Sequence, residues 1–331
     1  MKILIIQLRQ LGDVLLTATL ARAIKENIQN SKVDFLTSSP AKEILTLNPY
    51  IDEIFTIQKD LFSEFSVIKH IRANSYDAVI DVQRTATTKR ISFFSSATKR
   101  IAFKSKDNFY YNNVLIHENH SYTVDDRLTL LKPLGIKIDD GIYLPELYYD
   151  KNTDNKIENL LENLNLKNNF FVVMPTARKK IKSWPLDYFI QLIDKVYYEL
   201  GYTPLVVVAP NEDLVLKEIK KQVKAKFFSF SNLSIKELAC LIKKSQFFIG
   251  NDSFGGHVAV SQKKKSFILV GFSSGWFPKN RNTVLITANL DCQPCNNWKK
   301  CPYPLNNDYL KCFFSLNPTD VFKIIKSQLI V

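Results

Sequence analysis

The chain begins with a segment at 2–8 (KILIIQL) whose apolar run, Ile3 to Ile6, reads as a buried strand and is too short for a helix. A polar turn at 9–12 follows, and apolar residues then recur at helical spacing from 14 to 28. The same alternation continues. Apolar, β-branched runs at 33–37, 54–57 and 77–82 predict strands, and the periodic segments 40–47 and 62–73 predict helices between them. Strands that alternate with helices imply βαβ units on a parallel sheet.

The second half repeats the rhythm. Strands are predicted at 170–174 (FFVVM), 204–209, 226–230, 246–250 and 267–272. Helices are predicted at 186–200, closed by Gly201, at 214–223, from Ser234 to 244, and from Gly255 onward. Ser234 with Glu237 three residues later has capping-box spacing. Between the halves, 137–169 is rich in Asp, Asn and Lys. A linker is expected at 145–155, with a helix at 157–164 opening the second half. The pattern predicts an α/β protein of two Rossmann-like domains facing across a cleft. The first would span 1–150 and the second 151–331, with the final helix free to pack back on the first. In such open sheets ligands bind at the carboxyl ends of the strands.

Length and composition agree with this picture. The 331 residues suit two domains, and 46% hydrophobic residues give each a core. The apolar run at the start is too short for a signal peptide and no stretch approaches a membrane span, so a cytoplasmic, at most membrane-peripheral protein is expected. The formal net charge of +13 suits a polyanionic partner, or simply a lysine-rich surface. No helix-turn-helix, zinc-finger or RNP signature occurs, so nucleic acid is not the expected partner.

Three strand-to-helix loops carry candidate chemistry. In the first, Arg9-Gln10-Leu11-Gly12-Asp13, Gly12 suits a tight turn. Asp13 suits either an N-cap or a general base held at a helix N-terminus. No GxGxxG follows the first strand, which argues against a dinucleotide fingerprint. In the second, Arg178, Lys179, Lys180 and Lys182 crowd the end of a strand before Trp184-Pro185, as a phosphate site or a basic surface loop would. In the third, Gly250-Asn251-Asp252-Ser253-Phe254-Gly255-Gly256-His257, the paired glycines at a helix start would leave N–H groups open to a phosphate. Apart from these, Cys292, Cys295, Cys301 and Cys312 have the spacing C-x2-C-x5-C-x10-C. Clustered thiols in a cytosolic protein suit a structural zinc or iron site, reduced packing, or disulfides formed after purification.

Taken together, these segments resemble the bacterial heptosyltransferases of glycosyltransferase family 9. The resemblance rests on KILIIQLRQLGDVLLTATLARAIK, NPYIDEIFTI, YDAVIDVQ, Lys182-Ser183-Trp184-Pro185, GNDS with His257, and the four-cysteine tail, in order along nearly the whole chain. It implies a GT-B fold with the acceptor on the first domain and the nucleotide sugar on the second. It also implies an inverting transfer that needs no catalytic metal, from ADP-heptose to an anionic glycolipid of the lipopolysaccharide inner core at the inner leaflet. Asp13 matches the family's catalytic aspartate, with Arg9 and Gly12 on the acceptor side. Lys182 matches its phosphate-binding lysine. Asp252, Ser253, Gly255, Gly256 and His257 match its donor loop, and Thr176 and Glu212 fall near donor contacts.

Two departures concern the sugar. The family commonly has Asp-Thr-Gly-Pro-Met-His where this chain has Asp252-Ser253-Phe254-Gly255-Gly256-His257, and 271–280 (GFSSGWFPKN) replaces a turn of small residues. Another nucleotide sugar or acceptor on the same fold, and a non-catalytic binding protein, are the alternatives. Retention of Asp13 and Lys182 together speaks against the second.

Overall fold

The computed structural model describes residues 1–118, 120–166, 169–273, 275–295, 301 and 309–329. The chain divides into two compact units, Met1–Tyr148 and Tyr149–Val331.

Each unit is built on a six-stranded parallel sheet. In the first, β1 (Lys2–Ile6), β2 (Lys32–Ser38), β3 (Glu53–Ile57), β4 (Ala78–Asp81), β5 (Lys99–Phe103) and β6 (Asn113–Leu115) lie in the order β3-β2-β1-β4-β5-β6. In the second, β7 (Phe170–Met174), β8 (Thr203–Val207), β9 (Phe228–Phe230), β10 (Phe248–Asn251), β11 (Ser266–Leu269) and β12 (Thr283–Ile286) lie in the order β12-β11-β10-β7-β8-β9. Both sheets follow the Rossmann order, so each has a switch point, between β1 and β4 and between β7 and β10. There the loops after neighbouring strands diverge and leave room for a ligand. Ile3, Leu4, Ile5 and Ile6 are all fully buried, as expected of a central strand covered by helices on both faces.

Several expectations needed correction. The first helix is two, Leu11–Thr17 and Thr19–Asn27, with Ala18 between them. The expected linker contains the start of the helix Lys151–Asn163. Its opening DKNTDNK is polar because that part of the helix faces solvent, the Asp150 carboxylate accepts from the Thr153 N–H, and Ile157 and Leu161 alone turn inward. The final helix, Pro318–Leu329, packs on Leu186–Leu200 and adds Val321, Phe322 and Ile325 to the second unit's own core. Ser234 and Glu237 do form the capping box. Sequence reasoning left 83–136 without elements. This stretch holds β5, β6 and the helices Ala86–Phe94 and Thr123–Leu128.

Candidate functional sites in the two units

In the first unit the loop after β1 carries Asp13. The chain turns at Arg9 and Gln10, and the helix starts at Leu11. Gly12 is therefore already helical and is not the turn residue. Gln10 occupies the N-cap position without a side-chain cap bond, so Asp13 is a first-turn residue and not the cap. What fixes Asp13 is Arg127, which the sequence did not single out. Arg127 Nη2 donates to Asp13 Oδ1 at 2.5 Å. Its Nη1 donates to the Asp13 carbonyl oxygen at 2.8 Å and to Thr17 Oγ1 at 2.9 Å. The Arg127 side chain is only 9% exposed and that of Asp13 is 25% exposed, so the pair is rooted in the core and opens at the carboxylate. Asp13 Oδ2 has no hydrogen-bond partner among the described residues. A carboxylate with one oxygen clamped and one available has the form of a base that must meet a hydroxyl at a fixed angle.

The loop that precedes Asp13 is stitched to the neighbouring strand. Gln83, two residues beyond β4, accepts at Oε1 from the N–H groups of Leu8 (3.1 Å) and Arg9 (3.0 Å) and from Gln7 Nε2 (2.7 Å). Arg9 is exposed beside this stitch.

In the second unit, the loops after β7, β8, β10 and β11 assemble at the corresponding sheet edge. Asn251, the last residue of β10, donates from Nδ2 to the Pro175 carbonyl oxygen and accepts at Oδ1 from the Trp184 N–H, each at 2.9 Å. This pins the basic loop between those residues. Lys182 then reaches Asp252, with Nζ 2.7 Å from Oδ2. Asp252 is 3% exposed and also accepts from Ser273 Oγ, a residue the sequence did not flag. Lys182 Nζ lies 5.8 Å from the Phe272 ring centroid and 5.9 Å from that of Trp276. Of the four cations predicted in this loop, Lys182 is the one turned toward Asp252, while Arg178 and Lys180 are exposed.

The helix Phe254–Ser261 starts at the same edge. Its glycines act differently from the sequence expectation. The Gly256 N–H is already bonded to the Ser253 carbonyl oxygen at 3.1 Å, so the N–H groups left by the first turn are those of Phe254 and Gly255. The glycines are needed for close packing. A Cβ on Gly255 would run into the Met174 sulfur, and one on Gly256 would sit 2.9 Å from the Phe277 ring. That ring stacks on His257 with centroids 4.5 Å apart and planes 9° from parallel. Ser253 Oγ is buried without a partner among the described residues. Thr176 is half-buried just after β7, and Glu212 holds the turn after β8, where its Oε2 accepts from the Ala209 N–H at 2.9 Å.

The cysteines back this site. Cys295 and Cys301 pack on Ile181, Phe272 and Leu310, and so lie behind the neighbours of Lys182 and Ser273. Burial pushes the Cys312 thiol up to about 11, and nearby Cys301, Cys292 and Cys295 add to the rise. All four are free thiols. They share a neighbourhood, although among the described residues no group of three His, Cys, Asp or Glu side chains is gathered tightly enough to hold a metal.

Two Rossmann-type sheets, one presenting a clamped carboxylate and the other a lysine beside an open helix N-terminus, are an arrangement suited to a group-transferring enzyme. The family model for glycosyltransferase family 9 (heptosyltransferase) matches residues 64–304, and the chain belongs to that family. It is a glycosyltransferase of the heptosyltransferase kind. Lipopolysaccharide heptosyltransferase 3 of Escherichia coli K12 is 27% identical over 336 residues, covering 95% of this chain and 93% of that protein. Among solved structures, a family 9 glycosyl transferase from Veillonella parvula superposes with a TM-score of 0.83 at 18% identity, over 99% of this chain and 97% of that one. E. coli ADP-heptose lps heptosyltransferase II superposes at 0.80 and 17%, over 100% and 99%. These likenesses bear out the GT-B fold expected from the sequence.

Proposed function

We propose that the chain transfers heptose, with inversion, from ADP-heptose to an anionic inner-core glycolipid. The observation that carries this reading is the Asp13 carboxylate, with Oδ1 held by Arg127 and Oδ2 open, at the carboxyl edge of the first sheet. Asp13 Oδ2 takes the proton of the acceptor hydroxyl as its oxygen forms a bond to the anomeric carbon. The bond from that carbon to the diphosphate oxygen breaks on the opposite face. The charge that develops on the leaving diphosphate is met by Lys182 and by the N–H groups of Phe254 and Gly255. A positioned base contributes about 10²–10⁴-fold, and holding the reactants in line supplies much of the rest. No step calls for a catalytic metal.

The heptose donor is supported by the family and by what the E. coli relatives are called. Phe254, Trp276 and Phe277 enlarge the aromatic surroundings of the donor loop, and this favours a second reading in which the sugar or the acceptor differs. The cytoplasmic face of the membrane is the expected place of work, and among the described residues no helix is long and apolar enough to cross a bilayer.

The four cysteines are of the right type for a structural zinc or iron, and such a metal would have to draw their thiols closer together and deprotonate them; once bound it would brace the segment behind Lys182 and Ser273. The deciding experiment for the reaction is turnover with a panel of ADP-, UDP- and GDP-sugars against heptose-bearing and heptose-free core acceptors. Product with ADP-heptose alone supports the first reading. Product with another sugar and none with heptose replaces it with the second.

A further inference from the structure

The first unit carries an exposed aromatic surface that neither the base nor the donor site uses. On the helix Leu61–Ala73, Phe62 is 89% exposed and Phe65 71%. Next to this helix packs Ala86–Phe94, which ends in exposed Phe93 and Phe94, and beyond it lies Phe109, 68% exposed. The two groups of rings are joined through Arg90. Arg90 grips buried Glu64 with two bonds, Nε to Oε1 at 2.6 Å and Nη2 to Oε2 at 2.7 Å, which locks the two helices together. Arg90 also lies within electrostatic reach of Tyr110, whose ring sits 3.9 Å from Phe109 and 5.8 Å from Phe93. Large apolar side chains grouped in this way mark an interaction surface.

The charges around the rings select the partner. Residues 59–72 and 86–110 hold nine lysines and arginines against three carboxylates. Two of those carboxylates pair with cations of the same set, Glu64 with Arg90 and Asp107 with Lys89, which leaves seven cations against Asp60. Phe62, Phe65, Lys69 and Arg72 follow each other at helical spacing, all exposed, so one helix face carries rings at one end and cations at the other. Protein interfaces are depleted in lysine at their centre. A bilayer interface takes both at once: rings enter the headgroup–acyl boundary, aliphatic stems follow, and the charged ends stay with anionic phosphates.

We infer that the face formed by Phe62, Phe65, Phe93 and Phe109 with Lys69 and Arg72 docks the enzyme on an anionic lipid bilayer. The purpose of this docking rests on the glycolipid acceptor proposed above; its geometry does not. Docking would leave the acceptor to be found by diffusion in two dimensions.

The test is co-sedimentation of the full chain with phosphatidylcholine vesicles, with and without phosphatidylglycerol. Binding should require phosphatidylglycerol and fall with salt. Phe62→Ser with Phe65→Ser, both so exposed that the melting temperature should not move, should weaken binding by about tenfold or more. Lys69→Glu with Arg72→Glu should weaken it by at least about fivefold per cation. Turnover on a water-soluble acceptor should be unchanged in both pairs. Equal binding to neutral and anionic vesicles overturns the proposal. So does wild-type binding by both pairs, or a change in oligomeric state of the serine pair with vesicle binding intact, which would make this face a contact between copies. A chain that fails to use heptose yet shows the predicted vesicle pattern defeats the heptose reading and supports this one.

Discussion

Arg127 holds Asp13 at two points, its carboxylate and its own carbonyl oxygen, and reaches Thr17 one turn further along the helix. The guanidinium therefore fixes the backbone and the reactive group together. A lysine, with one rotatable ammonium, cannot reproduce that fork.

Asp13→Asn should lower kcat by about a hundredfold or more, with donor KM nearly unchanged, because the base is lost and the shape is kept. Arg127→Ala should lower kcat substantially while leaving donor affinity intact, and Arg127→Lys should recover part of the loss. If Arg127→Ala melts early yet keeps its rate per folded molecule, Arg127 is structural only. Steady-state kinetics beside thermal melts separates the outcomes.

Lys182→Ala strips the cation from a carboxylate that is 3% exposed. The stability cost should be about 1–3 kcal/mol, below the ~3–5 of a fully buried pair because Lys182 keeps some solvent contact. Nucleotide affinity and turnover should both fall. Lys182→Met with Asp252→Asn should regain the stability and not the activity. Calorimetric titration with ADP, beside denaturation, reads both.

His120 should contribute a pH dependence to stability. The hydrogen bond to Asp140 is the largest cause that raises its pKa above the usual 6.5, burial opposes it, and the charge of Asp140, a hydrogen bond to Glu118 and the charge of Asp126 add to the rise. A raised histidine stabilises the fold fully below its unfolded value, and that stabilisation is lost as pH rises through the folded value. Denaturation midpoints should fall as pH rises above the ordinary histidine value, and His120→Gln should flatten that part of the fall. An unchanged slope in the variant would assign the response elsewhere.

Protein purified without chelator should carry close to one equivalent of zinc or iron at the four-cysteine segment. Removing the metal should lower the melting temperature and raise donor KM, because Cys295 and Cys301 back Ile181 and Phe272. A folded, metal-free protein with all four tail thiols titratable rules the site out.

What the sequence disclosed follows physical lines. β1, β2, β7 and β10 were legible because central parallel strands are apolar on both faces and leave continuous runs. β6, with three residues at a sheet edge, leaves no such run. The helix Ala86–Phe94 begins with a box formed by Thr85 and Thr88, a weaker sign than the serine–glutamate pair at 234–237. Asp13, Lys182 and the 252–257 loop could be singled out as candidates because each lies in a strand-to-helix connection with a recognisable motif. Arg127 lies 114 residues from its partner and Ser273 lies 21 from Asp252. Their roles exist only once the sheets have formed.

Gln83 and Asn251 do the same work in the two units, each reaching from the end of the fourth strand of its sheet to the loop after the first. Most of their partners are main-chain N–H and C=O groups, which every residue type except proline supplies in full. The gripped loops can therefore exchange side chains without losing their anchorage. Each half should accept a loop grafted from a relative with different substrate preference, provided the amide and the spacing to it are kept. Acceptor and donor choice would then be separately transplantable properties of one frame.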